Sequence, residues 1–501
     1  MSPRGLSVKH TTAVSVVYVA AIFLSTMDTT IVNVALPTIG RAFSVESTSV
    51  DAVSISYLVS LAVFIPASGW LGDRFGGKRV LLAAVAVFTL ASALCGLASG
   101  LGELIAFRLL QGAGGGMLVP VGMALMLRSF PPGERVRALA ALTMANAIAP
   151  TIGPSLGGLL VTRLSWRWVF FVNVPVGVAA FVFGALFLRG TAVRRPGCFD
   201  LVGFLLSASG LGLLMYGVSQ GPDLGWTARP VLAGVVAGAV LLSVLVYVES
   251  RSRAPLIDFR LFRDRLFRSG SAVMTLESVA FLSVIYTVSL YFQDGLGLGP
   301  LATGLSILPQ ALGVLTGSQV ASRSLYRRLG PRRHLLVGVV GSSLCMALLA
   351  WVTVGGQLWC AWIALFGMGF SVGQVFVATQ AASFATVSAA ASGGAATLFN
   401  AGRRLGGAVG IAVATTAIVL VGVDTPVVGE PADDVGAYRV GFLVAAAINL
   451  LAVRAAWVVR DADAASTVPT ARPRDGRDRP RRNWSRRDRS RRDRSRRDRS
   501  R

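Results

Sequence analysis

Gly69-Trp70-Leu71-Gly72-Asp73-Arg74-Phe75-Gly76-Gly77-Lys78-Arg79 joins two long apolar runs. Glycines let a chain turn tightly and let two helices approach closely. Asp73 is an anion at a helix end, placed to meet a helix N-terminus or an arginine. The stretch nearly matches a phosphate-binding loop, Gly72-x4-Gly77-Lys78, but Arg79 stands where Ser or Thr should hold magnesium. No soluble segment supplies the strand such a loop needs, so nucleotide binding is rejected. The segment reads as a short basic turn between two membrane helices.

Working outward, apolar runs recur along the whole chain. They lie near 12–36, 52–71, 80–98, 104–127, 138–161, 168–188, 200–219, 231–249, 270–292, 302–322, 335–354, 358–379, 397–421 and 438–458. Each is long enough to cross a hydrocarbon core of about 30 Å, and helices are the default because lipid satisfies no backbone group. Of the 501 residues 53% are hydrophobic and 14% charged, and the mean hydropathy is +0.65. A soluble domain carries about 25% charged residues, so a soluble enzyme is excluded. Cys95, Cys198, Cys345 and Cys360 lack metal or redox spacing, and His10 and His334 cannot build a metal site. No metal and no cofactor is expected.

The Lys and Arg of the connections test the topology. Alternate connections, counted from the N-terminus, hold most of them, including Arg74, Lys78, Arg79, Arg128, Arg135, Arg137 and the run from Arg251 to Arg268. The opposite connections carry only Arg41, Arg163, Arg167, Arg229 and Arg439. The bias predicts fourteen spans with both termini in the cytoplasm. The formal charge of +24 therefore sits in inner loops and in the tail, where Arg-Arg-Asp-Arg-Ser repeats at 486–490, 491–495 and 496–500. The tail has almost nothing to bury, so it is expected to be a disordered, solvated cytoplasmic extension. Anionic lipid is its candidate partner. Nucleic acid is not, because Trp484 alone is available to stack a base.

An internal repeat sets the plan. Arg74-Phe-Gly76-Gly-Lys78-Arg79 is echoed by Arg328-Leu-Gly330-Pro-Arg332-Arg333, with Arg327 in place of Asp73. Two six-helix halves related in this way fit a transporter, with two further helices inserted between them. The expected divisions are an N-terminus at 1–11, a first half at 12–188, inserted helices and a basic loop at 189–269, a second half at 270–460 and the tail at 461–501.

Several motifs lie in register with these runs. The loop quoted first resembles the signature between helices 2 and 3 of the major facilitator superfamily, with Gly69, Leu71, Asp73, Arg74, Gly76 and Lys78 matching and Gly77 departing. Leu104-x3-Arg108-x2-Gln111-Gly112-x-Gly114 resembles the helix 4 motif. Ala149-x3-Gly153-Pro154-x2-Gly157-Gly158 resembles the antiporter motif of helix 5, with Ala149 for its first glycine. Met27-Asp28-Thr29-Thr30 through Pro37, and Asn400-Ala-Gly-Arg403-Arg404-Leu-Gly406-Gly407, resemble the fourteen-helix drug:proton antiporters. Asp51-Ala52 stands where that family often has Gln-Trp. The resemblance, over about 12–458, implies an all-α membrane protein of the major facilitator fold, not an enzyme. It implies proton-coupled efflux of amphipathic drugs or antibiotics across the cytoplasmic membrane by a monomer. A dedicated exporter of one endogenous metabolite and a non-transporting scaffold or sensor are the alternatives.

Charges inside the spans are the site candidates. Asp28 lies about 16 residues, or roughly 24 Å, into the first run, and Arg108 about 4 residues into the fourth from its outer end. Both fall at nearly one depth, which allows a pair. Burial favours a protonated carboxyl and a nearby cation opposes it, so the pair reads as a proton site; a fixed structural pair or an arginine snorkelling outward is the alternative. Glu277, about 7 residues into the ninth run, is a second proton or cation site unless it reaches back to Arg265 or Arg268. Arg403 and Arg404 are read as opening the thirteenth helix, where at least one caps an interface near the inner mouth, with a substrate role as the alternative. Gly153, Pro154, Gly157 and Gly158 carry no chemistry: the proline bends the helix, the glycines admit a neighbour, and the resemblance implies a barrier to uncoupled return of the empty carrier. Met144, Tyr286 and Tyr291 are candidates for lining an adaptable cavity, but lipid-facing or core packing is the preferred reading for any one of them.

Overall fold

The computed structural model describes residues 9–45, 50, 52–190, 197, 199–252, 255–355, 358–421 and 436–461. Among them fourteen long helices follow one another. The first six are α1 (His10–Phe43), α2 (Ala52–Phe75), α3 (Gly77–Leu97), α4 (Leu101–Ser129), α5 (Pro132–Arg163) and α6 (Trp168–Phe187, with a turn at Val172). Next come α7 (Leu201–Leu224) and α8 (Arg229–Arg251). The last six are α9 (Arg265–Leu290), α10 (Pro300–Val320), α11 (Tyr326–Gly355), α12 (Leu358–Ser383), α13 (Ser392–Val421) and α14 (Gly436–Val458). Each coincides with a run read from the sequence. By length and hydropathy 12 segments of the described residues can cross a membrane; one of them, Ala302–Val352, takes in most of α10 and α11. The remaining helix is α5. Residues 1–8, the 422–435 connection and 462–501 lie outside the described residues, and with them the expectations for the tail.

Local chemistry sets the boundaries. Asp200 caps α7 by accepting from Gly203 N, and Asp264 caps α9 by accepting from Leu266 N and Phe267 N. Pro230 and Pro300 stand in first turns, where no backbone donor is lost. Gly76 breaks α2 from α3 with φ 89°, and Gly330 breaks the α10–α11 helix with φ 75°. These two glycines are equivalent in the sequence repeat, and both need a conformation that side chains rarely adopt.

The packing repeats as well. In the first six helices α4 lies against α2 and α3, and α1 against α5 and α6; in the last six α12 lies against α10 and α11, and α9 against α13 and α14. The two sets meet where α2 packs on α13 and α5 on α10. The inserted pair docks through α7, which packs on α2 and α13. Trp70 Nε1 donates to Gly197 O at 3.1 Å, and Trp226 Nε1 to Thr416 Oγ1 at 2.7 Å. α8 packs mainly on α7 and leaves Leu232, Val236, Val240 and Tyr247 exposed, as a lipid-facing stripe requires.

Candidate coupling and gating sites

Asp28 and Arg108 meet. Arg108 Nη1 donates to Asp28 Oδ2 at 2.5 Å, and the two side chains are 1% and 0% exposed. The arginine does not snorkel outward. A buried ion pair costs desolvation unless further hydrogen bonds satisfy its remaining polar atoms, and both carboxylate oxygens of this one are bonded. Asp28 Oδ1 accepts from Gln111 Nε2 at 2.8 Å and from Asn173 Nδ2 at 3.1 Å. Arg108 also donates to Gln111 Oε1 at 2.8 Å and, through Nε, to Val53 O at 3.1 Å. The guanidinium lies 4.1 Å from the Tyr57 ring centroid, a favourable cation–π distance. Ser92 supports Asn173 at 3.2 Å. Five helices, α1, α2, α3, α4 and α6, thus converge on one carboxylate.

Gln111 stands in a motif read from the sequence, whereas Asn173, Tyr57 and Ser92 were missed. The available signal was neutral amides and hydroxyls within apolar runs, which a search for intramembrane charge passes over.

A second site is formed at the other end of α4. Arg128 Nη2 donates to Asp73 Oδ1 at 2.5 Å, and Arg128 Nε to Ser392 Oγ at 2.8 Å. Ser392 and Gly393 begin α13, so Asp73 faces both expected partners, an arginine and a helix N-terminus. Gly69 makes this possible: a Cβ there would lie 3.2 Å from the Gly393 backbone. Gly72 has open space around it, and Arg74 is exposed. Lys78 caps α6 by donating to Ala185 O and Leu188 O at 3.0 and 2.5 Å. Arg135 Nη1 adds a bond to Phe384 O at 3.0 Å. The two six-helix sets are therefore tied together at this end.

The sequence repeat suggests that an acidic latch exists only in the first half. The structure corrects this. Asp461, just past α14, accepts from Arg332 N at 2.7 Å beside Gly330, and Arg332 lies 4.4 Å over Trp457. Lys78 and Arg332, equivalent in the repeat, both engage the last helix of their own half. The acid comes from a distant segment rather than from the loop itself. Chain truncation after residue 462 is expected to leave transport intact, whereas Asp461→Asn should lower the melting temperature by about a degree or less, for a loss of about 0.3–1 kcal/mol at this helix terminus. Thermal unfolding of the two variants checks both statements.

Glu277 is 0% exposed, and neither carboxylate oxygen has a hydrogen-bond partner among the described residues. It does not reach back to the basic loop: Arg265 donates instead to Val458 O. The polar side chains facing it are Ser342 and Asn449. Arg403 and Arg404 do not open their helix, because α13 begins at Ser392 and the pair lies about three turns further in. Arg404 Nη2 reaches Ser25 Oγ of α1 at 3.3 Å.

The glycine motifs are matched across the repeat. Cβ atoms at Gly153 and Gly157 of α5 would collide with Thr30 and Ile31 of α1, and at Gly406 and Gly410 of α13 with Thr275 and Val279 of α9. Gly407 faces Leu282, while Gly158 faces open space. α5 runs as continuous helix through Pro154. Tyr291 packs among Phe292, Tyr438 and Phe442, whereas Tyr286 lines a cavity of about 160 Å³ between α2, α7, α9 and α13. The Met144 side chain lies outside what is described.

Residues 18–411 match the family model of the Major Facilitator Superfamily, and the chain belongs to that superfamily. It is 36% identical over 351 residues to a putative multidrug resistance protein, MdtD, of Pectobacterium carotovorum, covering 69% of this chain and 74% of that one. It is 33% identical over 404 residues to the multidrug resistance protein B homolog of Mycobacterium tuberculosis, covering 79% and 74%. Among solved structures, the human organic anion transporter MFSD10 superposes with a TM-score of 0.66 at 16% identity, over 90% of this chain and 100% of that one. The proton:xylose symporter XylE superposes with 0.61 at 13%, over 89% and 94%. The all-helical major facilitator fold and a multi-pass membrane protein are thereby established.

Proposed function

We propose that the chain is a proton-coupled exporter of amphipathic drugs or antibiotics, sited in the cytoplasmic membrane with both termini inside. The observation that carries the coupling is the Asp28–Arg108 pair, a sequestered carboxylate whose cation sits on another helix. A proton arriving from outside takes the place of Arg108 as the neutralising partner, and the freed arginine repacks α4 against α1. One inward proton supplies about 2.3 kcal/mol per 100 mV. Glu277 is the second acid of the cycle. Gly69, Asp73, Arg74, Gly76 and Lys78 form the inner gate, held shut by Arg128 and Ser392. The multidrug names of the two relatives support drug efflux over a dedicated metabolite exporter. pH-gradient-driven efflux of a compound panel from proteoliposomes tests the proposal; no gradient-dependent flux of any compound would refute it.

Asp73→Asn is expected to slow transport about fivefold while substrate affinity holds, because a part-exposed ion pair contributes about 1 kcal/mol at most. Collapse of affinity with turnover unchanged would rule out a gating role.

A further inference from the structure

The structure assigns a charge to the substrate: we propose that this exporter takes an amphipathic anion, with its carboxylate, sulfonate or phosphate held by Arg404 and Arg403 and its apolar body in the cleft between α2, α7, α9 and α13. The inference rests on the efflux reading above and names its substrate class.

Three observations carry it. The first is charge without a counter-charge. Arg403 and Arg404 lie roughly 16 Å along α13 from Ser392, near the middle of a core of about 30 Å. Neither forms an ion pair with an acid among the described residues; the two pairs present use Arg108 and Arg128. Arg403 makes no hydrogen bond there, and Arg404 makes a single long one to Ser25. The charged and titratable groups facing them are each other, Tyr18 and Tyr57. An arginine at this depth is costly without a partner, and two adjacent ones are costlier. Each planar guanidinium retains donors suited to a two-oxygen acceptor.

The second observation is the place. Both side chains reach from the second six-helix set toward α1 of the first, across the surface that alternating access opens. They are deep in the protein, yet each keeps some accessible surface, as side chains lining an internal cleft do.

The third is the neighbouring cavity. Arg404 shares a helix face with Ala408, Ile411, Ala412 and Thr415, at spacings of four, seven, eight and eleven residues. Those four residues line the cavity of about 160 Å³, together with Leu58, Met215, Tyr216 and Tyr286. Among the described residues the lining contains no Asp, Glu, Lys or Arg. An apolar cleft with a cationic end one helical turn away fits an amphipathic anion and repels a lipophilic cation. The inserted α7 forms one wall through Met215 and Tyr216, which gives the extra helix pair a role in recognition. The site also adjoins the coupling pair: Arg404 bonds Ser25, Tyr57 Oη donates to Ser25 O at 3.4 Å, and Arg108 lies on the Tyr57 ring.

The test compares fluorescein and rhodamine 123, which share a xanthene frame and carry opposite charge. Binding is measured by anisotropy with the full chain in phosphatidylcholine nanodiscs, and flux in proteoliposomes under a pH gradient. Wild type should bind fluorescein more tightly than rhodamine 123. Arg404→Gln and Arg403→Gln should each weaken fluorescein about tenfold to a hundredfold, the loss of a charge-assisted hydrogen bond, and leave or improve rhodamine binding. Arg404→Lys should restore part of the affinity, and Tyr216→Ala should weaken both dyes alike. The glutamine variants should melt no lower than wild type, since they remove unpaired buried charge. Tighter rhodamine binding by wild type, or fluorescein affinity unchanged in both glutamine variants, would overturn the assignment. So would competition from phosphatidylglycerol that depends on Arg404, because the occupant would then be lipid. Arginine-dependent fluorescein binding without gradient-driven flux would keep the anion site and refute the pump.

Discussion

Asp28→Asn is expected to abolish pH-driven efflux while the protein still inserts and folds. The amide removes the titratable group but keeps size and hydrogen-bonding capacity, and a neutral side chain is cheaper at this depth than a charge. Arg108 is not left bare, because Gln111 Oε1, Val53 O and the Tyr57 ring remain around it. Downhill exchange of substrate should persist. The pH dependence of substrate binding should largely vanish, since a group that cannot change charge cannot link two ligands. Arg108→Ala should behave differently. It leaves a carboxylate with Gln111 and Asn173 but no cation, so a proton must neutralise it, and transport should recover only at higher pH. If the pair were merely structural, each single variant would lose about 3–5 kcal/mol of stability and the double variant would regain it, because no unpaired charge would remain. Efflux, binding and melting of the three variants separate these outcomes. Proton coupling at the wild-type level in Asp28→Asn would sink the assignment and make Glu277 the acid to test.

The fourteen helices were legible because lipid imposes one rule, that the backbone satisfy itself, over segments long enough to read. Boundaries were less so. The first run reads as 12–36, stopping before Pro37, yet α1 continues to Phe43 through that proline; a proline removes one bond, and the turns on either side hold. The depth arithmetic brought Asp28 to Arg108 because a rise of about 1.5 Å per residue is nearly constant. It could not supply Asn173, whose amide carries no charge to mark it. Nor could it supply Asp461, which lies 129 residues beyond the backbone group it meets. Sequence symmetry located Gly330 but misjudged the acid, since a helix N-terminus accepts a carboxylate from any segment that reaches it.

Gly153→Val should cost the protein its fold or its yield, whereas Gly158→Val, five positions along the same motif, should be tolerated. A motif read as a string treats its glycines alike; the packing does not. A Cβ at Gly153 would enter Thr30 Oγ1, and one at Gly157 would lie 3.0 Å from Ile31 Cγ1 and from Ile31 O, whereas one at Gly158 meets nothing within 4 Å. Overpacking of this kind costs about 1–3 kcal/mol and more when backbone must move. The α1–α5 contact cannot yield on the side of Asp28, two residues before Thr30, without disturbing the Asp28–Arg108 pair. Gly410→Val on α13 should fail in the same way, because its Cβ would press on Val279 O of α9. Gly153→Ala combined with Thr30→Ala should recover much of the yield lost by Gly153→Ala alone, since the colliding oxygen is gone. Membrane yield and melting temperature of these variants, followed by proton leak in the tolerated ones, distinguish packing from a barrier to uncoupled return. Loss of folding in Gly158→Val, or wild-type yield in Gly153→Val, would show that α1 and α5 do not pack as described.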